Sequence, residues 1–399
     1  MTPLSTAPRV NIRTPDVMSH VQAQIEKHYH SELVESVRAQ GGRLRFGTTT
    51  LHLAKEFGFC YGVERAIDLA YAAGKVFSDR NIYLLGEIIH NPDVNAQIAA
   101  LGIHCLPPRP KPDDLAILKP EDVVIVPAFG AEASLIALVK QIGCQIVDTT
   151  CGDVMSVWKR VRQNATEGVT SIIHGKADHE ETRATASRAL GADGKGQYLI
   201  VLDMEETRAV ADYILHGGDP AAFLQRFAGK TSEHFDPSLH LQRIGVANQT
   251  TMLRSETEAI QAHLRSAITE RDQGDTSHFR YFDTICGATQ DRQDSLFHLL
   301  SEPLDILIVV GGYNSSNTTH LVEIGIQKLP TWFIRNADCL TSEKELRHFD
   351  IHTKSEITSS DWLPDRPELV VGITAGASCP NNLIEETIRR VLTLRGTPL

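Results

Sequence analysis

Asp148-Thr149-Thr150-Cys151 and, 135 residues further on, Asp283-Thr284-Ile285-Cys286 are two copies of one short arrangement. Phe57-Gly58-Phe59-Cys60, whose cysteine lies 91 residues before Cys151, is a looser third. Each sets a cysteine after an apolar or strand-like run and before a helical period. The periods are Val63, Ala66, Ile67, Ala70, then Val154, Val157, Trp158, Val161, then Gln290 to Leu300. The intervals are domain-sized, so the reading is three α/β units, each offering one cysteine at a strand-to-helix junction.

The text between the cysteines supports that fold class. Short β-branched runs alternate with longer helical periods: Ile82–Leu85 then 93–101, Val123–Val126 then 134–142, and Ser171–Ile173 then 181–190. Ile306–Val310 then 319–328 and Val370–Ile373 then 382–394 continue the alternation. Such alternation predicts parallel α/β units. The expected lobes are 60–151, 152–285 and 286–395, the last joined by 44–59. Residues 1–43 are expected to be an N-terminal extension, with an amphipathic stretch from about Pro15 to Gln40. Pro107–Pro112 and the region from Gly217–Pro220 to Pro237 read as surface loops or insertions.

A thiolate is the ligating form of cysteine, and the partial positive charge of a helix N-terminus favours it. Three such thiolates from three units could meet only at a central point. They satisfy three irons of a four-iron cube and leave one iron open, whereas electron-transfer ferredoxins usually supply four cysteines. Plain burial of all seven cysteines stays open on spacing alone, since no CxxC pair is present. Cys105, Cys144, Cys339 and Cys379 read as packing residues.

Two polar segments read as anion cradles. Gly311-Gly312-Tyr313-Asn314-Ser315-Ser316-Asn317 follows the apolar run Ile306–Val310, and Thr374-Ala375-Gly376-Ala377-Ser378 follows Val370–Ile373. Glycine lets backbone approach closely, while Ser and Asn add donors beside unpaired helical N–H groups. Ordinary N-capping explains a single such residue equally well. Neither segment fits a nucleotide fingerprint. His90 ends the strand-like run Glu87–His90, and His179-Glu180-Glu181-Thr182 follows His174-Gly175-Lys176. Histidine suits a diphosphate, and a carboxylate in a water-poor pocket, such as Glu181, could deliver a proton. Gln249-Thr250-Thr251 adds hydroxyls after Ile244–Ala247.

Bulk properties narrow the class. The chain has 399 residues and 42% apolar composition, enough for two or three cored domains. The net charge of −11 argues against nucleic acid or anionic membrane as a partner. No apolar stretch is long enough to span a bilayer and no signal-peptide pattern is present, so a cytoplasmic location is expected, or a plastid-like stroma in a eukaryote. Asp16, Glu26, Glu32 and Glu35 argue against a transit peptide.

In order along the chain, Gly58–Ala66, Glu87–Asn91, Asp148–Cys151, His179–Thr182, Gln249–Thr251, Cys286–Gln293, Asn314–Asn317 and Thr374–Ser378 resemble the IspH/LytB family, 4-hydroxy-3-methylbut-2-enyl diphosphate reductases. The resemblance covers roughly residues 50–395. It implies three α/β lobes in an approximately threefold arrangement around a [4Fe–4S] cluster held by Cys60, Cys151 and Cys286. It implies diphosphate contacts from His90, His179, Ser315, Ser316, Asn317 and Ser378. Thr250 would lie near the reacting hydroxyl, and Glu181 would deliver the proton. The implied reaction is a reductive dehydration giving isopentenyl and dimethylallyl diphosphates, with electrons from a ferredoxin or flavodoxin.

One position departs from the family pattern. Phe129, in Pro127-Ala128-Phe129-Gly130, stands where many bacterial members carry a histidine. That version, with the long N-terminus, His174-Gly175-Lys176 and Glu180-Glu181-Thr182, resembles the plant and cyanobacterial branch and leans toward ferredoxin. The competing readings are a hydro-lyase needing no reductant, an iron–sulfur sensor or carrier, and a structural zinc protein.

Overall fold

The computed structural model describes residues 11–397; residues 1–10 of the expected extension lie outside the described residues. The chain divides into two compact units, and the helices and parallel strands expected from the alternation are present in both.

The first unit contains 83–86 and 105–286. One of its sheets runs Phe279–Tyr281, Ile244–Asn248, Thr170–His174, Tyr198–Val201, all parallel neighbours. In the other, Val123–Val126 lies parallel to Gln145–Asp148, and Leu85 N–H donates to Ile125 on the far side at 3.1 Å. Strands buried on both faces read as unbroken apolar runs, as Val123–Val126 does. Helix Gly152–Thr166 buries Val154, Val157, Trp158 and Val161, the stripe expected from its spacing.

Of the loop and insertion readings, helical structure in the segment from Gly217 to Pro237 favours the insertion. It holds helices Pro220–Arg226 and Pro237–His240. Asp219 and Asp236 cap them with side-chain oxygens, and each is followed by proline at the first helical position. Phe223, Phe227 and Phe235 are buried in the core over Ile244–Asn248.

The second unit contains 11–82 together with 87–104 and 287–397. Its five-stranded sheet has the order Arg43–Phe46, Thr49–Leu53, Leu369–Ala375, Ile306–Val310, Thr331–Ile334. The pairings are parallel except for the first hairpin. The stretch Pro15–Gln40 forms two helices, Pro15–Tyr29 and Glu32–Ala39. His30 ends the first, and Ser31 caps the second, its Oγ accepting from Val34 N–H at 3.0 Å. Buried Val21, Val34 and Val37 seat these helices on the unit. Glu87–His90 is a bent loop and not the strand its apolar pair suggested. No helix among the described residues is long and apolar enough to cross a membrane.

Candidate functional site

In the first unit, His179 closes the loop after strand Thr170–His174 and caps helix Glu180–Ala189. Its Nδ1 accepts the Glu181 N–H at 3.1 Å. That nitrogen must therefore present a lone pair, so a neutral ring carries its proton on Nε2. Glu181 lies on the first turn and is 2% exposed. Its carboxylate accepts from Thr250 N–H at 2.6 Å and from Thr250 Oγ at 3.0 Å. The carbonyl of Thr250 in turn accepts from Cys286 N–H at 3.1 Å. One residue thus joins the predicted proton donor to the backbone of a predicted ligand cysteine.

Gln249 fixes the turn that carries Thr250. Its Oε1 accepts from Thr182 Oγ1 at 3.1 Å and from Lys176 N–H at 3.2 Å. Its Nε2 donates to Thr251 Oγ1 at 2.8 Å, and its N–H donates to the His174 carbonyl. With 1% of its surface exposed, every one of these bonds replaces water.

Cys151 stands at the N-cap of helix Gly152–Thr166, and its carbonyl accepts from Met155 N–H. Its own N–H donates to the Ala128 carbonyl at 2.8 Å, which ties it to the Pro127–Gly130 turn. Gly130 is required there: its φ is +81°, and a Cβ would lie 2.4 Å from the Trp158 ring. Phe129 packs edge-on against the His179 ring with centroids 6.3 Å apart. It supplies an apolar wall beside that ring.

In the second unit, Cys60 stands at the N-cap of helix Tyr61–Val76 in an extended conformation. Arg292, buried on helix Gly287–Leu299, donates to the Gly58 carbonyl at 2.6 Å and steadies this loop. Cys60 N–H donates to the Ala377 carbonyl at 3.3 Å, and Ala377 N–H donates to Asn317 Oδ1 at 2.9 Å. Ser378 Oγ donates to the His90 carbonyl at 3.1 Å, while Asn91 Nδ2 donates to the Ser378 carbonyl at 2.9 Å. Gly312 allows close approach, since a Cβ there would lie 2.2 Å from the His90 carbonyl oxygen. Cys60, His90, Asn317 and Ser378 are therefore joined through two cradle loops.

Ser315 caps helix Ser316–Gly325. Ser316 Oγ and Asn317 Nδ2 are buried and have no protein hydrogen-bond partner. Buried donors without partners cost roughly 1–3 kcal/mol each, which a phosphate group would recover. Glu87 holds the His90 side: its Oε2 accepts from Asn314 Nδ2 at 2.7 Å and lies 3.0 Å from His90 Nδ1.

The cysteines sort by environment. No disulfide joins cysteines among the described residues. Cys60, Cys151 and Cys286 each stand at a helix start, and neither Cys60 nor Cys151 spends its side chain on the cap. That donor set fits a thiolate-bound metal centre. Cys379 does not: complete burial, with Asp93 and Glu386 nearby, pushes its thiol well above the ordinary range. Cys144 Sγ donates to the Lys119 carbonyl, and Cys339 is buried 3.5 Å from the Tyr313 hydroxyl. Cys105 corrects the packing reading, because it is exposed.

Residues 51–392 match the family described as LytB protein. The chain belongs to the LytB family. A LytB relative from Gloeobacter violaceus, named 4-hydroxy-3-methylbut-2-enyl diphosphate reductase, is 46% identical over 95% of this chain and 91% of its own. A relative of the same name from Thermosynechococcus vestitus is 46% identical over 94% and 92%. A solved structure of (E)-4-hydroxy-3-methyl-but-2-enyl diphosphate reductase, titled the terminal enzyme of the non-mevalonate pathway, superposes with a TM-score of 0.53. It has 26% identity and covers 87% of this chain and 99% of that one. The Plasmodium falciparum reductase structure shares the fold, with a TM-score of 0.63 at 21% identity over 86% and 87%.

Within this LytB chain, sequence reasoning missed Gln249, Glu87, Asn91 and Asn314 as organising residues. Asn91 had a readable signal, because Asn followed by Pro marks a helix start. Gln249 had none: its partners are 67 and 73 residues away.

Proposed function

We propose that this chain catalyses the reductive dehydroxylation of 4-hydroxy-3-methylbut-2-enyl diphosphate. The products are isopentenyl and dimethylallyl diphosphates, and the step closes the methylerythritol phosphate route. The reaction takes up two electrons and two protons, breaks one C–O bond and releases water. The names borne by relatives 46% identical over nearly the full length support this substrate. The observation that carries it is the Glu181–Thr250–Cys286 connection, a buried proton-carrying pair hydrogen-bonded to the backbone of a cysteine at a helix start.

Cys60, Cys151 and Cys286 are the proposed ligands of a [4Fe–4S] cluster, which when bound supplies single electrons and a Lewis-acidic iron. His90, His179, Ser315, Ser316, Asn317 and Ser378 would bind the diphosphate. In a chain of net charge −11 that anion needs such a local set of donors. His179 would donate from Nε2, and Ser316 and Asn317 offer donors that have no protein partner among the described residues. Thr250 would orient the reacting hydroxyl, and Glu181, protonated in turnover, would pass its proton to the departing oxygen. The three proposed lobes are 60–151, 152–285 and 286–395 with 44–59. A ferredoxin or flavodoxin is the proposed electron donor.

The test is anaerobic incubation of the protein with the substrate and a chemical reductant, followed by separation of the diphosphates. Formation of both products only with reductant is expected. Consumption of substrate without reductant would assign a hydro-lyase instead.

A further inference from the structure

Helix Gly152–Thr166 begins at Cys151 and turns a cationic face to solvent. Lys159, Arg160 and Arg162 are exposed along it, against a single carboxylate, Asp153. Arg160 lies over the ring of Phe282, its guanidinium carbon 4.8 Å from the centroid, and Arg280 lies at 5.8 Å from the same ring. Phe282 is four residues before Cys286. The patch therefore runs from the segment of one predicted ligand cysteine to that of another, within one compact unit.

One exposed apolar side chain lies on the same helix: Met155, one helical turn beyond Cys151, is 42% exposed. Arg280 pairs with Glu167, and Arg243 donates to the Glu167 carbonyl at 3.3 Å, so the main nearby acid is already engaged. A cationic surface with an apolar component, on a chain of net charge −11, is a local reversal of the molecule's own field.

From this we infer that the surface formed by Met155, Lys159, Arg160, Arg162 and Arg280 docks an acidic one-electron carrier protein. The inference rests on the functional reading above, which requires electrons to reach the cysteine-bearing segments. Opposite charge steers the encounter, while Met155 excludes water from a small transient interface. Nucleic acid is a poor rival because the rest of the molecule repels it.

The experiment compares turnover driven by a reduced acidic ferredoxin with turnover driven by reduced methyl viologen. Wild-type protein is set beside the triple variant Lys159→Glu, Arg160→Glu, Arg162→Glu. The expected result is a loss of about tenfold or more in kcat/KM for the ferredoxin and a flattened salt dependence, with viologen turnover unchanged. Ferredoxin kinetics and salt dependence like wild type would overturn the docking surface. An equal loss with both reductants would overturn it too, by showing a general defect. Absence of viologen turnover in wild type would instead remove the functional reading beneath it.

Discussion

Glu181 takes two hydrogen bonds from a single residue, Thr250, 69 positions away: one from its N–H and one from its hydroxyl, at 2.6 and 3.0 Å. Both residues are buried, and the same threonine's carbonyl receives the N–H of Cys286. A carboxylate so held is fixed in position, and its proton partner is fixed with it.

Glu181→Gln keeps an acceptor for the Thr250 N–H but cannot deliver the proton. Turnover with a chemical reductant should fall by roughly 10²–10⁴, the usual worth of a general acid. Calorimetric binding of inorganic diphosphate should be unchanged. Wild-type turnover would remove Glu181 from the chemistry.

Thr250→Val keeps the N–H bond and deletes the hydroxyl donor. Glu181 Oε2 then lacks that donor in a buried place, which costs about 1–3 kcal/mol. The melting temperature should fall by a few degrees and kcat by roughly tenfold or more, while Thr250→Ser restores both. Failure of the serine variant to recover kcat would show that the hydroxyl is not what matters.

Ser316→Ala removes a buried hydroxyl oxygen that has no protein partner. Stability should be unchanged or slightly raised, whereas the Kd for inorganic diphosphate should rise roughly tenfold or more. Calorimetry reads the second and a thermal melt the first. Unaltered diphosphate affinity would take Ser316 out of the anion site.

His348 gives a pH prediction. Burial holds its imidazole below the ordinary histidine value, with Nε2 2.8 Å from Ser359 Oγ. The unfolded chain therefore binds the proton more readily, so this contribution is intact above about pH 6.5 and is lost as pH falls below it. His28, His52 and His240 are lowered by burial in the same sense. Glu64, Asp68 and Glu386 are raised and act oppositely. Comparison with His348→Gln isolates one group: its melting temperature should fall less than wild type between about pH 7.5 and 5.5. An equal fall would contradict the assignment.

The sequence was most legible where one local pattern had one structural meaning. Ile306–Val310, then glycines, then Asn314–Asn317, reads as strand, turn and helix start, and strand Ile306–Val310 and helix Ser316–Gly325 are present. Glu87–His90 was misread because Ile88 and Ile89 are buried by a loop, and a short apolar run looks the same in either setting. Across Gly217–Pro237, prolines signal a loop and a helix start equally well. Asp219-Pro220 and Asp236-Pro237 are helix starts. The site residues were visible as types, but their pairings were not. The Glu181–Thr250 bond and the Ser378–His90 bond, 288 residues apart, depend on tertiary packing that no local spacing encodes.

The central claim is that Cys60, Cys151 and Cys286 hold an iron–sulfur cluster. Anaerobic purification with iron and acid-labile sulfide analysis tests it most directly, using wild type and the single Cys→Ser variants. The account predicts about four irons and four sulfides per chain, retained in Cys144→Ser and Cys339→Ser and lost when any of the three ligand cysteines is replaced. Colourless protein with zinc and no sulfide, or full iron content in Cys60→Ser, Cys151→Ser and Cys286→Ser, would contradict it.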